Sequence, residues 1–340
     1  MIPVFFHDEQ LLHKPQYEWA FGVSINHPET THRAESILKA LKKEPDRFDF
    51  HEPQSFPLKE IKQIHSPKMV KAIQASSASL AMDKTHYPSV FPYYRDKSRL
   101  DPNNLNHAGA FCFDAGTPLT SFTFVAAAWS AAASVEAAKW IADGQGKTAY
   151  ALCRPPGHHA SKDLFGGYCY FNNAALAARH LRQSVDRVAI LDIDFHHGNG
   201  TQVLFDRDPS VLVINIHGDP NFFYPYFTGF ETEIGSGAGK GFNINIPLGK
   251  SVDGSTYIDV LKRRVIKAIK DFDAKALVIS AGFDTYVADP IGAFDLETAD
   301  FQTIAEELSH LKLPTVIVQE GGYEETSLGR NVASFLRPFS

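Results

Sequence analysis

An α/β fold built around a mainly parallel sheet is what this sequence predicts, on three observations. Short apolar runs such as Val211 to Ile216, Ala276 to Ser280 and Thr315 to Gln319 alternate with helical patterns. These runs carry almost no charge until their last residues, as in Arg187-Val-Ala-Ile-Leu-Asp-Ile-Asp, which is how strands buried on both faces read. The residues with chemistry stand at the C-terminal ends of the runs, where open α/β sheets place their ligand crevice.

The elements follow in order. A first strand, Ile2 to Phe6, precedes His27-Pro-Glu-Thr-Thr-His-Arg-Ala-Glu35, in which Pro28 with Thr30 or Thr31 suits a helix start. That segment is either a capped turn or, through Arg33, part of a site; a helical pattern continues from Ser36 to Lys43. A second helical region covers Leu58 to Ser76, broken at Ser66-Pro67. From Lys84 to Thr123 the chain is rich in Pro, Tyr, Asn and Phe and lacks periodicity. Loops this long are usually lids or interaction surfaces. The aromatic cluster from His86 to Tyr94 therefore covers a pocket, meets another subunit, or packs on its own body.

An alanine-rich helix spans Phe124 to Asp143 and ends at Gly144. The strand Ala149 to Cys153 runs into Arg154-Pro-Pro-Gly-His-His-Ala160, where adjacent histidines in a rigid turn are placed either for proton transfer or for packing. Phe165-Gly-Gly-Tyr-Cys-Tyr-Phe171 supplies glycines at which a backbone approaches a ligand closely, and Asn172 or Asn173 caps the helix through His180. Val211 to Ile216 ends in His217-Gly-Asp-Pro. Phe242 to Ile246 is a strand and Thr256 to Asp271 an amphipathic helix. Ala276 to Ser280 ends in Ala281-Gly-Phe-Asp284, and Thr315 to Gln319 ends in Glu320-Gly-Gly-Tyr323. The phenol of Tyr323 either faces the site or packs on the last turn.

The densest chemistry is Leu191-Asp-Ile-Asp-Phe-His-His-Gly-Asn-Gly200. If the extended conformation continues, Asp192, Asp194 and His196 share one side. Two acids at the end of a buried strand must be solvated, raise their pKa values or meet a cation. Mixed oxygen and nitrogen donors suit a zinc-like metal; the alternative is that the acids cap a loop. Asp284 occupies the same kind of strand end, so Asp194, His196 and Asp284 form a three-ligand set with a fourth position open.

At 340 residues, with 44% hydrophobic and 21% charged residues, the chain reads as one domain, 1–340, with 84–123 as an insertion loop. The net charge of −6 argues against a nucleic-acid binder. No window suits a membrane span or a leader, so we expect a cytoplasmic protein. Cys112, Cys153 and Cys169 make no disulfide framework; they read as buried apolar side chains, with a thiolate role for Cys153 or Cys169 as the alternative.

Five ordered motifs, Arg154-Pro-Pro-Gly-His-His, Phe165-Gly-Gly-Tyr-Cys, Asp192-Ile-Asp-Phe-His-His-Gly-Asn-Gly, Ala281-Gly-Phe-Asp-Thr and Glu320-Gly-Gly-Tyr, resemble those of the zinc-dependent histone deacetylase family. Phe165-Gly-Gly-Tyr-Cys and His217-Gly-Asp-Pro most resemble its bacterial acetylpolyamine amidohydrolases. The resemblance implies an arginase/deacetylase fold with a central parallel sheet of about eight strands flanked by helices.

It also implies a deacetylase that hydrolyses acyl amides of primary amines through metal-activated water. One zinc would be held by Asp194, His196 and Asp284, and a potassium by Asp192, Asp194, His196, Asn215 and Ile216. His159 would be base and then acid, with His158 as its electrostatic partner; Asp192 would orient His158, and Asn199 would face His159. Tyr323 would donate to the developing oxyanion. The Gly167 carbonyl would accept the substrate N–H, between channel walls of Phe165 and Tyr224. The 84–123 loop would recognise a second substrate amine and form a homodimer.

One departure concerns that loop. Asn106 and Gly116 stand where such relatives carry acids, with Asp101, Asp114 and Glu18 nearby. Small acylated polyamines are therefore the leading substrate class, and protein acetyl-lysine or another small amide is the alternative. A non-catalytic binding module on the same fold would have lost a ligand or the tyrosine, and this chain keeps all of them. A two-manganese ureohydrolase would need a carboxylate where Gly198 stands.

Overall fold

The computed structural model describes residues 1–20, 22–93 and 97–340; Tyr94, the last residue of the aromatic cluster, lies outside them. Eight strands make one sheet, and every adjacent pair in it is parallel. The N-terminal part supplies β1 (Ile2–Phe5) and then a separate antiparallel hairpin of β2 (Tyr17–Ala20) and β3 (Val23–Asn26). Helix α1 (Thr31–Leu41) leads to the edge strand β4 (Phe48–His51), followed by α2 (Leu58–Ile64) and α3 (Pro67–Ser79), broken at Ser66-Pro67 as expected.

Among the described residues of the 84–123 segment, the strands β5 (Thr85–His86) and β6 (Leu119–Thr120) pair with each other, beside short 3-10 turns. The chain continues through α4 (Thr123–Ala142), β7 (Thr148–Ala151), α5 (Asn173–Leu181) and β8 (Val188–Asp192). Then come α6 (Asn199–Phe205), β9 (Val211–Gly218), β10 (Asn243–Leu248), α7 (Gly254–Val260) and α8 (Lys267–Asp271). A π-helical stretch, Leu261–Ile266, joins α7 to α8. The last elements are β11 (Ala276–Ala281), α9 (Thr298–Ser309), β12 (Thr315–Gln319) and α10 (Glu325–Leu336).

The strand order β10-β9-β8-β11-β12-β7-β1-β4 puts β8, β11, β12 and β7 side by side in the middle. Alternate residues feed two cores, one on each face. Val188, Ile190, Val278 and Val318 meet α2 to α5 on one face, whereas Ala189, Leu191, Ile279 and Ile317 meet α1 and α7 to α10 on the other. Burial on both sides is why these strands read as unbroken apolar runs. It also fixes their ends as a rigid rim, and the chemistry sits there.

One expectation fails locally. The extended conformation does not continue to His196, because β8 ends at Asp192 and the chain bends through the next residues. Two turns replace it: Asp192 Oδ1 accepts from the Asp194 amide (3.1 Å) and Asp194 Oδ1 from the His196 amide (2.9 Å). The convergence of these side chains is thus made by carboxylate-capped bends, not by strand alternation. The helix expected from Ser36 starts earlier, at Thr31.

Candidate active site

Neighbouring strands β8 and β11 bring three donors together. Their register pairs Asp192 with Ser280, so the bends that follow lie side by side. His196 Nδ1 lies 2.9 Å from Asp284 Oδ2 and 3.4 Å from Asp194 Oδ1, and ligand atoms of the three residues all fall within 4.8 Å of one another. Asp194 Oδ2 also accepts from the Gly321 amide at 2.8 Å, which ties the β12 loop to the same point.

The two buried carboxylates are not equivalent: burial would raise Asp194, but the charge of His158 and the hydrogen bonds from His196 and Asp284 hold it below the usual carboxylate range. Burial and the charge of Asp194 push the Asp284 carboxyl up to about 7. His196 is driven the other way: burial lowers it, but hydrogen bonds to Asp194 and Asp284 outweigh that and raise it to about 10. The trio therefore draws positive charge to its centre. Three mixed nitrogen and oxygen ligands with one side open are a donor set that a catalytic zinc accepts.

The strand next in order, β12, ends in the turn that carries Tyr323. Its ring is 9% exposed and lines the cavity. Asp289 grips the backbone here, accepting from the amides of Tyr323 (2.6 Å) and Glu324 (3.2 Å). The Arg33 guanidinium stacks 4.6 Å over the Tyr323 ring and donates to the carbonyls of Gly322 (2.5 Å) and Glu320 (2.6 Å). Burial holds the phenol well above its usual pKa, so it stays a proton donor. Of the two readings for Tyr323, the structure has the one that faces the site.

Strand β7 leads to the histidine pair. His158 Nδ1 bonds Asp192 Oδ2 at 3.0 Å, whereas His159 Nδ1 faces Asn199 Oδ1 at 2.6 Å. Burial would lower His158, but the carboxylates of Asp194 and Asp192 outweigh it and raise it to about 10. His159 is held well below its usual value by burial and by the charges of His158 and His196. Glu320 braces this turn, accepting from the amides of Gly157 (2.7 Å) and His158 (3.1 Å).

A cavity of about 510 Å³ opens beside these groups, lined by His159, His196 and Tyr323 together with Tyr168, Tyr224, Tyr226 and Ile291. Tyr224 lines the cavity and Phe165 does not. Phe165 is fully buried, stacks on Tyr170 at 5.7 Å and hydrogen-bonds through its backbone to Phe111. After it, Gly167 and Tyr168 take left-handed conformations, with φ of +56° and +64°, and Tyr168 takes the wall instead. A Cβ on Gly167 would lie 2.1 Å from His159 Cδ2, so the backbone passes directly against the imidazole.

The Gly167 carbonyl accepts from Cys169 Sγ at 3.2 Å. Burial keeps the thiols of Cys153 and Cys169 protonated, which fits the apolar reading of both. Asn215 pairs with Asp192 across β8 and β9, with Ile216 next to it, and its side-chain oxygen accepts from the Gly198 amide at 3.1 Å. Asp101 and Asn106 are exposed and away from the cavity lining; Glu18, Asp114 and Gly116 are part of it.

A model of the histone deacetylase domain matches residues 27–339. The chain belongs to the histone deacetylase family. Acetylpolyamine amidohydrolase 2 of Pseudomonas aeruginosa is 38% identical, over 98% of this chain and 97% of its own length. Acetylpolyamine amidohydrolase of Mycoplana ramosa is 36% identical, over 98% of both chains. The crystal structure of acetylpolyamine aminohydrolase from Burkholderia pseudomallei superimposes with a TM-score of 0.92 at 35% identity, covering 100% of this chain and 98% of that one. The histone deacetylase family member described here is therefore a deacetylase, a hydrolase of linear amide C–N bonds. Its eight-stranded sheet is that of the arginase/deacetylase fold.

Sequence reasoning passed over Asp289, Glu320 and Tyr168. An Asp-Pro in a loop and a glutamate at a strand end were visible signals for the first two. Nothing periodic marks Tyr168.

Proposed function

We propose that this deacetylase acts on acetylated polyamines and related acylated primary amines, using His158, His159 and Tyr323 around a metal held by Asp194, His196 and Asp284. The observation that carries the reading is that His159, His196 and Tyr323 line one aromatic-walled cavity, with Asp194 and Asp284 clustered on His196 behind it. Near-full-length likeness to acetylpolyamine amidohydrolases supports the substrate class.

A bound divalent ion, zinc by the donor set, would acidify water and polarise the acyl carbonyl. The protein's own groups do the rest. The Asn199 oxygen can only accept, so His159 carries its proton on Nδ1 and presents a bare Nε2 to the cavity. That nitrogen takes a proton from the attacking water and passes it to the leaving amine. The Tyr323 hydroxyl donates to the carbonyl oxygen as negative charge grows there, a contribution of about 3 kcal/mol for donors of this kind. The Gly167 carbonyl orients the amide N–H, and Tyr168 and Tyr224 confine an unbranched chain. Asp192 keeps His158 cationic and in place.

Potassium would be held beside this centre by Asp192, Asp194, His196, Asn215 and Ile216, where the ends of β8 and β9 meet. We take 1–340 as one deacetylase domain. The 84–123 segment, with Phe91 and Tyr93 highly exposed, is the candidate surface for a homodimer. Among the described residues no helix is long and apolar enough to cross a membrane. We take the setting to be cytoplasmic, in keeping with three free, buried cysteines.

The test is acetate release by zinc-loaded and metal-stripped protein from N-acetylputrescine, N-acetylspermidine and an acetyl-lysine peptide. Metal-dependent preference for the two polyamines is expected; preference for the peptide would replace the substrate class.

A further inference from the structure

We propose that Glu18, seated against Gly116 where a side chain would displace it, binds the distal ammonium group of the substrate and so selects acylated diamines over uncharged amides. This rests on the deacetylase reading of the cavity above.

The cavity lining contains two carboxylates, and they are not equivalent. Asp114 is engaged on both oxygens: Oδ2 accepts from the Gly167 amide (2.5 Å) and the Tyr224 hydroxyl (2.7 Å), and Oδ1 from the Gly116 amide (3.1 Å) and Thr117 Oγ1 (2.8 Å). Asp114 builds the wall. Glu18, on the β2–β3 hairpin, accepts from the single hydroxyl proton of Tyr168, which leaves lone pairs on its two oxygens for a ligand. It is nonetheless buried, with 6% of its surface exposed.

Gly116 sits directly against it. A Cβ there would lie 2.9 Å from Glu18 Oε2 and 3.6 Å from the Tyr168 ring, so a side chain at position 116 would compete for the place that the glutamate occupies. The 116 position and the hairpin thus supply one acid between them.

The surroundings favour a cation. No lysine or arginine stands among the described residues that line the cavity, and Trp19, Tyr168 and Tyr226 offer aromatic faces to an ammonium group. His27, whose ring lies 4.8 Å from Tyr168, is kept neutral because burial lowers it to about 4. Burial also raises the Glu18 carboxyl to about 7, so an arriving cation would favour its ionised form.

The experiment compares N-acetylputrescine with N-pentylacetamide, an isostere in which a methyl replaces the ammonium, using the zinc-loaded full chain. Wild type should favour the charged substrate in kcat/KM by about tenfold or more, the range of a hydrogen bond to a charged group. Glu18→Gln should collapse that ratio, chiefly through KM. Equal rates for the two amides in wild type would overturn the proposal without recourse to any variant. So would a parallel loss on both amides in Glu18→Gln, which would mean that Glu18 only props Tyr168, or an unchanged ratio. Cleavage of neither amide by wild type would instead sink the substrate reading of the cavity, and the proposal with it.

Discussion

His159 is paired with an amide, not a carboxylate: its Nδ1 lies 2.6 Å from the side-chain oxygen of Asn199, while the adjacent His158 bonds Asp192. A carboxylate stabilises imidazolium and an amide oxygen does so only weakly, which keeps one histidine charged and the other available as a base. Asn199→Asp should raise the His159 pKa by about 1–2 units, in the range that a neighbouring carboxylate gives. The base form is then lost at higher pH. The acidic limb of the kcat/KM profile should move up accordingly, with activity at pH 6.5 falling more than activity at pH 9.

Tyr323 touches the reacting carbonyl in the proposed mechanism but ligates nothing. Tyr323→Phe should retain metal and bind substrate with KM within about threefold, while kcat falls by about 10²–10³. Turnover within threefold of wild type would remove the oxyanion role.

Asp284→Ala removes one of the three ligands proposed above and should leave a protein that copurifies with far less zinc, as metal analysis would read. In wild type, chelation should abolish acetate release and lower Tm, because a ligand bound to the folded state alone stabilises it by mass action. Restored zinc should return both. A Tm indifferent to chelator would argue against the trio as the metal site.

Arg33 is buried and satisfies two carbonyls and Glu29, which it reaches at 2.8 Å. Arg33→Ala should cost about 3 kcal/mol in denaturant unfolding, since the carbonyls of Glu320 and Gly322 lose their donor. Arg154 still pairs with Glu29 at 2.9 Å, which keeps the loss from being larger.

Glu18 gives a pH dependence whose sign follows from its direction of shift. Burial raises its carboxyl to about 7, with the Tyr168 hydrogen bond opposing and Asp114 adding to the effect. As pH falls below that value the carboxylate is protonated and the cationic substrate loses its partner. KM for N-acetylputrescine should rise, approaching tenfold per pH unit, while KM for N-pentylacetamide lacks this limb. Parallel curves would count against Glu18 as the amine's partner.

The sheet was legible because its central strands are short apolar runs buried on both faces, and the clustering of Asp194, His196 and Asp284 because two of those runs, Val188 to Asp192 and Ala276 to Ala281, lead within a few residues to acids. The trio's convergence was reached by a wrong local route, since strand alternation was invoked where turns at Asp192 and Asp194 do the work. Phe165 and Tyr168 were confused because left-handed glycine and tyrosine conformations decide which ring faces the cavity, and no periodicity records them. The β2–β3 hairpin escaped notice altogether. Its strands are four residues long and partly exposed, so they carry neither an apolar run nor a clean alternation.

Among the described residues, the two strands of that hairpin pair with each other, outside the eight-stranded sheet. The groups assigned to bond cleavage come from the rim of a sheet that is costly to alter, whereas Glu18 comes from a ribbon that, among the described residues, shares no strand pairing with that sheet. Substrate range in this enzyme can therefore drift or be engineered through residues 17–26 while the reaction itself is inherited unchanged. A library confined to those positions is the economical place to look for deacetylases of new amines.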